Sequence, residues 1–257
     1  MPTPFMHLQL SDALHALASQ QQDMDAGLQI ALAEYWSAFY LGSVAPDYQT
    51  ICGIPRIETH FYKNPPESED VAQRNMLAMY PQLYPGQSLD PQQAMFVAAY
   101  LGHLQIDLIW HFDVVLPYFM NNSDLEDHHQ AYLVHLTLLT YLDNLAFQAL
   151  PNKAVDVLSA ADYDHWLPFV EVEQMNAWRD FLVEQMAPGR TTQTVQIFAH
   201  RLRMTTDEFN AKLGDPDWMN EELFSHIPVA AIQQRLQESV PESLAFIEAY
   251  WHGRLEL

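Results

Sequence analysis

Three polar residues interrupt the apolar run DPQQAMFVAAYLGHLQIDLIWHFDVVLPYF, residues 90–119: His103, Asp107 and His111. They are spaced by four. At about 100° per residue, a step of four turns only about 40° around a helix, so the three share one face. Phe96, Val97, Tyr100, Leu101, Leu104, Leu108 and Ile109 recur at helical spacing around them. A carboxylate buried on such a helix costs on the order of several kcal/mol unless it is paired or bound to metal. Two imidazoles, one turn to either side of it, form half of a metal site. Nitrogen and carboxylate donors without sulfur suit zinc, and also manganese, iron or nickel. The other arrangement open to the trio is a metal-free hydrogen-bonded His–Asp–His ladder.

Four more residues of ligand type lie in the first 140 residues: His7, Asp47, His60 and His135. With His103, Asp107 and His111 they complete the candidate metal set. Several such ligands together would hold more than one ion, and a shared carboxylate such as Asp107 could bridge two. Two cations about 3.5–4 Å apart are a recurrent device for phosphoester hydrolysis. One lowers the pKa of a bound water, and the pair stabilises the attacking and leaving oxygens. His128 and His129 sit in the acidic stretch SDLEDHH and read as exposed. Glu126 and His129 give one Glu-x-x-His, whereas a di-iron bundle needs two. The remaining histidines lack partners at useful spacing.

The elements that must position these residues are helices. Leu8–Ala18 reads as a helix with His7 at its entrance, and Met24–Leu41 as a second, ended by Gly42. Residues 43–62, with Pro46, Gly53 and Pro55, read as an irregular but packed loop carrying Asp47 and His60. Ser68 caps a helix to Tyr80. Asp90 as N-cap and Pro91 at the first position open the central helix, which runs to Phe119. Leu125–Leu150 is a second long helix bearing His135, stopped by Pro151. A linker over 152–170 holds at most one short helix. Amphipathic helices follow over Glu171–Met186, Thr191–Leu213, Trp218–Phe224 and from Pro228 onward, with a break at Pro241. No apolar alternation of period two persists, so the fold class is all-α. The expected division is a metal-binding helical domain over 1–150 and a C-terminal helical region over 151–257 packed on it.

The chain has 257 residues, with 11 Lys+Arg against 33 Asp+Glu, a formal net charge of −22. Such a surface repels phosphate backbones and anionic bilayers, so long nucleic acids are excluded as partners. A phosphate ester can still be a substrate if bound cations supply a local positive field. The one cysteine, Cys52, excludes a disulfide framework and a cysteine-based zinc site. No basic, apolar leader and no stretch of about 18 apolar residues is present, so a cytoplasmic protein without a transmembrane segment is expected.

GSVAPD (Gly42–Asp47), THF (Thr59–Phe61) and AYLGHLQIDLIWH (Ala99–His111) occur in this order. Together they resemble the zinc-dependent phospholipase C family, which is similar to the S1/P1 nucleases. The likeness spans about residues 5–145. It implies an all-helical fold, a zinc cluster of up to three ions, and hydrolysis of a phosphodiester, small-molecule or lipid, through metal-bound hydroxide. It implies that Asp47, His60, His103 and Asp107 are the full ligand set of one zinc, with Asp47 also a candidate base. It implies further that His7 shares another zinc with a bridging Asp107. The family's mature N-terminal amine is also a ligand, freed by removal of a signal peptide, and no such peptide is visible before Met1. The family's second-zinc set has a histidine six residues beyond the helical aspartate and then a His-x-x-x-Glu. Here Asp113 stands at the first place, His111 is the nearest histidine, and Leu139 stands four residues after His135, with Asp143 one turn further. The expected function is a metal-dependent phosphoesterase-like hydrolase. The competing expectation, favoured by Leu139, is a metal-stabilised helical binding or scaffold protein without turnover.

Overall fold

The computed structural model of the protein describes residues 1–125, 127–187 and 189–256. Among them every regular element is helical. The expected all-α class is what is found, but several boundaries move, and the moves decide where the candidate ligands go.

The first helix, α1 (Pro4–Gln20), starts earlier than its apolar pattern suggests, because Pro4 is pre-set for the first helical turn. His7 therefore lies inside the helix and is buried. The expected second helix divides at Tyr35 into α2 (Ala26–Glu34) and α3 (Trp36–Gly42). The break lets α3 lie along the central helix. At its end Gly42 is indispensable: a Cβ there would clash with the carbonyl of Phe96.

Residues 43–62 are not irregular. They form a 3₁₀ turn over Ala45–Tyr48, then α4 (Gln49–Cys52) and α5 (Arg56–His60). Val44, Ala45, Tyr48, Thr59 and His60 are buried, and a buried segment must pair its backbone polar groups locally, which these turns do. α6 (Val71–Met79) begins at Asp70 rather than Ser68, whose hydroxyl donates to the Asp70 carboxylate at 2.7 Å.

The central α7 (Pro91–Trp110) is capped as expected: Asp90 accepts from the Gln92 and Gln93 amides at 3.0 and 3.5 Å. It is buried almost throughout. Beyond Trp110 the chain continues as a π-helical segment, His111–Met120, around Pro117. The wider π turn suits a proline, which cannot continue the i→i−4 ladder. α8 (His128–Ala149) starts at Asp127, which accepts from the His129 amide at 2.8 Å. Glu126, half of the Glu-x-x-His pair, lies outside the described residues.

α9 (Ala154–Ser159) and α10 (Val172–Met186) follow. The expected Thr191–Leu213 helix is two, α11 (Thr194–Arg201) and α12 (Thr206–Leu213), because Thr205 and Glu208 form a capping box that starts a new helix. α13 (Pro216–Met219) runs into a π turn, and α14 (Val229–Trp251) passes through Pro241 without the expected break. Its apolar stripe, including Leu236, Val240, Leu244 and Ile247, packs on α1 and α7 on both sides of the proline. Burial of that stripe outweighs the missing backbone bond. α7 thus lies at the centre, with α3, α6 and α14 around it.

Candidate metal centre

α7, α1 and the 43–62 segment bring five of the seven candidate ligands together. His103 and Asp107 stand one turn apart on α7, with His103 Nε2 3.9 Å from Asp107 Oδ2. His7 reaches in from α1, with Nε2 3.6 Å from Asp107 Oδ1, and its ring stacks on His103 at 3.7 Å. His60 closes from α5, with Nε2 3.4 Å from Asp107 Oδ2 and 3.5 Å from Asp47 Oδ1. Two sets have donor atoms mutually within 4.8 Å: His7, His103 and Asp107, and Asp47, His60 and His103.

The hydrogen bonds fix which nitrogens are free. His103 Nδ1 meets the carbonyl of Ser43 at 2.8 Å. A carbonyl only accepts, so Nδ1 carries the proton. Burial, helped by the neighbouring His7, pushes the His103 pKa down to about 3, so the ring is neutral and Nε2 holds a lone pair. His60 Nδ1 lies 2.8 Å from the Thr59 hydroxyl, which donates its single proton to the Arg56 carbonyl at 3.1 Å. That hydroxyl therefore accepts from Nδ1, and His60 Nε2 is free as well. The Nε2 atoms of His7, His60 and His103 and Oδ1 of Asp107 are all buried without a hydrogen-bond partner. Lone pairs converge on lone pairs, an arrangement that is costly unless a cation sits among them.

The carboxylates sharpen that demand. Burial alone would raise the pKa of Asp107, but His103, His7, Arg56 and His60 outweigh it and hold it well below the usual range. Asp47 is likewise held low: burial opposes ionisation, and the close approach of His60 and the nearness of His103 overcome it. Two anionic groups thus face one guanidinium. Arg56 lies 2.6 Å from Asp107 Oδ2 and donates to the Tyr62 hydroxyl at 2.8 Å.

The support around the cluster is built by the sequence next to each ligand. Gly42 lets the chain approach α7 closely enough for Ser43 to reach His103. Trp178 from α10 donates to the Val44 carbonyl at 2.8 Å and pins the segment that carries Asp47. Tyr100 from α7 donates to the Thr59 carbonyl. Phe61 takes a left-handed φ of 60°, held by its ring packing on Tyr80 and Phe169 and by the Asn75 amide donating to its carbonyl at 2.8 Å.

His111 and His135 go elsewhere. Both line a cavity of about 460 Å³ that also receives Asp47 and Arg56, but neither joins the two donor sets. The Trp110 indole N–H donates to His135 Nε2 at 3.2 Å, so that lone pair is engaged. Burial, then the charge of the Met1 amine, pushes both histidines' pKa values down. The Met1 amine itself is pushed down to about 6 by burial, against the pull of Asp107. Leu139 is apolar wall of the same cavity. Asp143 is fully buried near the hydroxyls of Thr3, Thr192 and Thr194, with its pKa raised mainly by burial. Asp113 pairs with Arg235 of α14 at 2.7 Å and serves as a tie between elements.

A model of the zinc-dependent phospholipase C family matches residues 6–187. That is well over half of the chain and includes every ligand of both donor sets. The chain belongs to the zinc-dependent phospholipase C family. No curated protein and no solved structure matches it. Its all-α architecture fits that family, and its His/Asp groups could hold the metal on which zinc-dependent phospholipases C depend. Among the described residues no helix is long and apolar enough to cross a membrane.

Sequence reasoning missed Arg56, Thr59, the Ser43 carbonyl and Trp110. Ser43, Thr59 and Trp110 lie inside the three motifs of the resemblance, and Arg56 left a signal of its own: no lysine or arginine precedes it in the chain.

Proposed function

We propose that this protein is a zinc-dependent phosphodiester hydrolase of the phospholipase C type. The observation that carries the reading is the convergence of three partnerless Nε2 atoms on two carboxylates, Asp107 buried and Asp47 partly exposed, both held anionic. In this reading Asp47, His60, His103 and Asp107 would hold one zinc. His7, with Asp107, would contribute to a second, because the one free nitrogen of His103 can serve only one ion. Zinc, when bound, supplies a water acidic enough to attack at neutral pH and positive charge for the phosphoryl oxygens. The chain's own residues do the rest. Ser43 and Thr59 hold two imidazoles in the tautomer that presents Nε2. Asp47, anionic and at the cavity wall, accepts the proton released from the nucleophile. Arg56 offers a guanidinium at the cavity edge that can turn from Asp107 to a phosphoryl oxygen.

One observation favours the scaffold alternative. Trp110 engages His135, and Leu139, one turn further along α8, offers it no carboxylate. A zinc count per chain combined with hydrolysis of bis(p-nitrophenyl) phosphate separates the two. At least two ions and chelator-sensitive turnover are expected. A single buried ion without turnover would establish the scaffold, and no bound ion would overturn both.

A further inference from the structure

The charge of the cavity is inverted relative to the chain. Over the whole sequence acidic residues outnumber basic ones three to one, 33 to 11. On the wall of the 460 Å³ cavity the charged side chains among the described residues are Asp47, Arg56 and Arg201, one acid to two bases. Asp47 faces His60 within the metal cluster, and Arg56 is held by Asp107. Arg201 is different. It projects from the end of α11 over the ring of Phe198, 5.4 Å from the ring centroid, and among the described residues it makes no ion pair. From α10 and α11 the same wall carries the apolar Phe181 and Ile197 and the uncharged polar Gln185 and Thr194.

A guanidinium with no carboxylate partner acts on any charge brought beside it in the cavity, and added salt weakens that action because the side chain is exposed. Recognition of a cationic group needs the opposite arrangement, aromatic faces with a carboxylate free to join them. Here the aromatic rings are present, but the one wall carboxylate among the described residues, Asp47, is committed to the metal cluster. We propose that the cavity selects phosphoesters whose far end is anionic or uncharged over those whose far end is cationic, and that Arg201 sets this preference. The inference deepens the proposed phosphodiesterase reading and rests on it.

Three phosphomonoesters of similar size test it: 3-phosphoglycerate, with a distal carboxylate; glycerol 3-phosphate, without distal charge; and phosphocholine, with a distal quaternary ammonium. Each is titrated calorimetrically into the full zinc-loaded chain and into R201Q and R201E. The wild type should bind 3-phosphoglycerate tightest and phosphocholine weakest, with roughly tenfold or more between the extremes. R201Q should compress that range, and R201E should reverse the order. Arg201 is exposed, so both variants should keep the wild-type melting temperature and zinc content, which the same samples report. Equal binding of the three esters by the wild type, or an unchanged order in R201E, would overturn the inference while leaving a phosphate-ester site standing. Failure of all three esters to bind a zinc-loaded chain would overturn the phosphodiesterase reading, and the inference with it.

Discussion

The cluster of His7, His60 and His103 and the cavity-wall pair His111 and His135 are two histidine poles with similar raw material and opposite readiness for metal. At one pole His60 and His103 each have Nδ1 tied to an oxygen acceptor, leaving Nε2 free beside anionic carboxylates. At the other, the Nε2 of His135 accepts from Trp110, and among the described residues no carboxylate completes a set with it. Imidazole is a ligand only through an unprotonated nitrogen that nothing else occupies. What separates the poles is therefore the identity of the second partner of each ring, and that partner is a backbone carbonyl, a hydroxyl or an indole supplied by another element.

The comparison breaks most visibly at Asp107. Asp107→Asn removes a charge that lies beside ligands of both donor sets, His7 and His60, and leaves Arg56 without its partner. Zinc content should fall by more than one site, and phosphodiesterase activity should vanish. In metal-free protein the cost should be about 1–3 kcal/mol for the lost charge-assisted bond. With zinc at one hundred times its Kd, the wild type should gain about 2.7 kcal/mol per site and the variant much less. Equal zinc dependence of the two melting temperatures would remove Asp107 as a ligand.

A paired substitution sharpens the contrast between poles. His103→Ala should abolish most of the zinc-dependent rise in melting temperature, whereas His135→Ala should leave it intact. The reverse result would exchange the roles of the two poles. His103 also has a signature in acid. Its folded pKa is lowered to about 3 from 6.5, so below 6.5 the unfolded chain takes up a proton that the folded chain refuses. Its contribution is complete above about pH 6.5 and is lost as pH falls from there toward 3. Asp47 and Asp107, with lowered pKa values, lose theirs only below the unfolded value of 3.8. Asp12, pushed up to about 6 by burial, works in the opposite sense. The difference in stability between metal-free wild type and His103→Ala, followed from pH 7 to 4, isolates the histidine. It should shift steadily over that range.

How much of this was legible in the chain follows from the same distinction. The i, i+4 spacing of His103 and Asp107 reports a shared helix face because both lie within the regular part of α7. His111 stands at the same spacing but opens the π segment, and its ring goes to the wider cavity. Periodicity cannot report where an α-helix turns into a π-helix at a downstream proline. Asp47 and His60 were legible as ligand types on a packed segment, but not the short helical turns that aim them, since turns of four or five residues carry too little pattern. The capping box at Thr205 was readable as T-x-x-E and would have divided the expected 191–213 helix. The tautomer-setting groups were beyond reach, because a backbone carbonyl leaves no mark on composition.

A smaller effect is expected at Gly42. Gly42→Ala drives a methyl into the carbonyl of Phe96, so α3 and α7 must separate. The overpacking should cost about 1–3 kcal/mol. Because Ser43 then withdraws from His103, zinc affinity should fall as well. A variant that loses stability but keeps wild-type zinc affinity in a titration would show that the Ser43 carbonyl does not prepare the ligand.

The smallest and most discriminating change is Thr59→Val, which keeps shape and removes one hydroxyl. If that hydroxyl accepts from His60 Nδ1, valine leaves a buried N–H without a partner. Stability should fall by about 1 kcal/mol, and zinc affinity by roughly tenfold, the usual scale for losing an outer partner of a metal-bound histidine. Thr59→Ser restores the oxygen and should restore most of the affinity. Suppose instead that the hydroxyl donates to Nδ1. Then His60 Nε2 carries the proton and faces Asp47 and Asp107 as a donor, and the metal-free cluster is a hydrogen-bonded ladder. Valine would then free Nδ1 without touching the side of the ring that faces the carboxylates, and zinc affinity would stay level or rise. The sign of the change in zinc affinity therefore decides which proton arrangement the cluster holds. A rise would return His60 to the metal-free ladder and leave His103 as the one imidazole whose tautomer is set for metal.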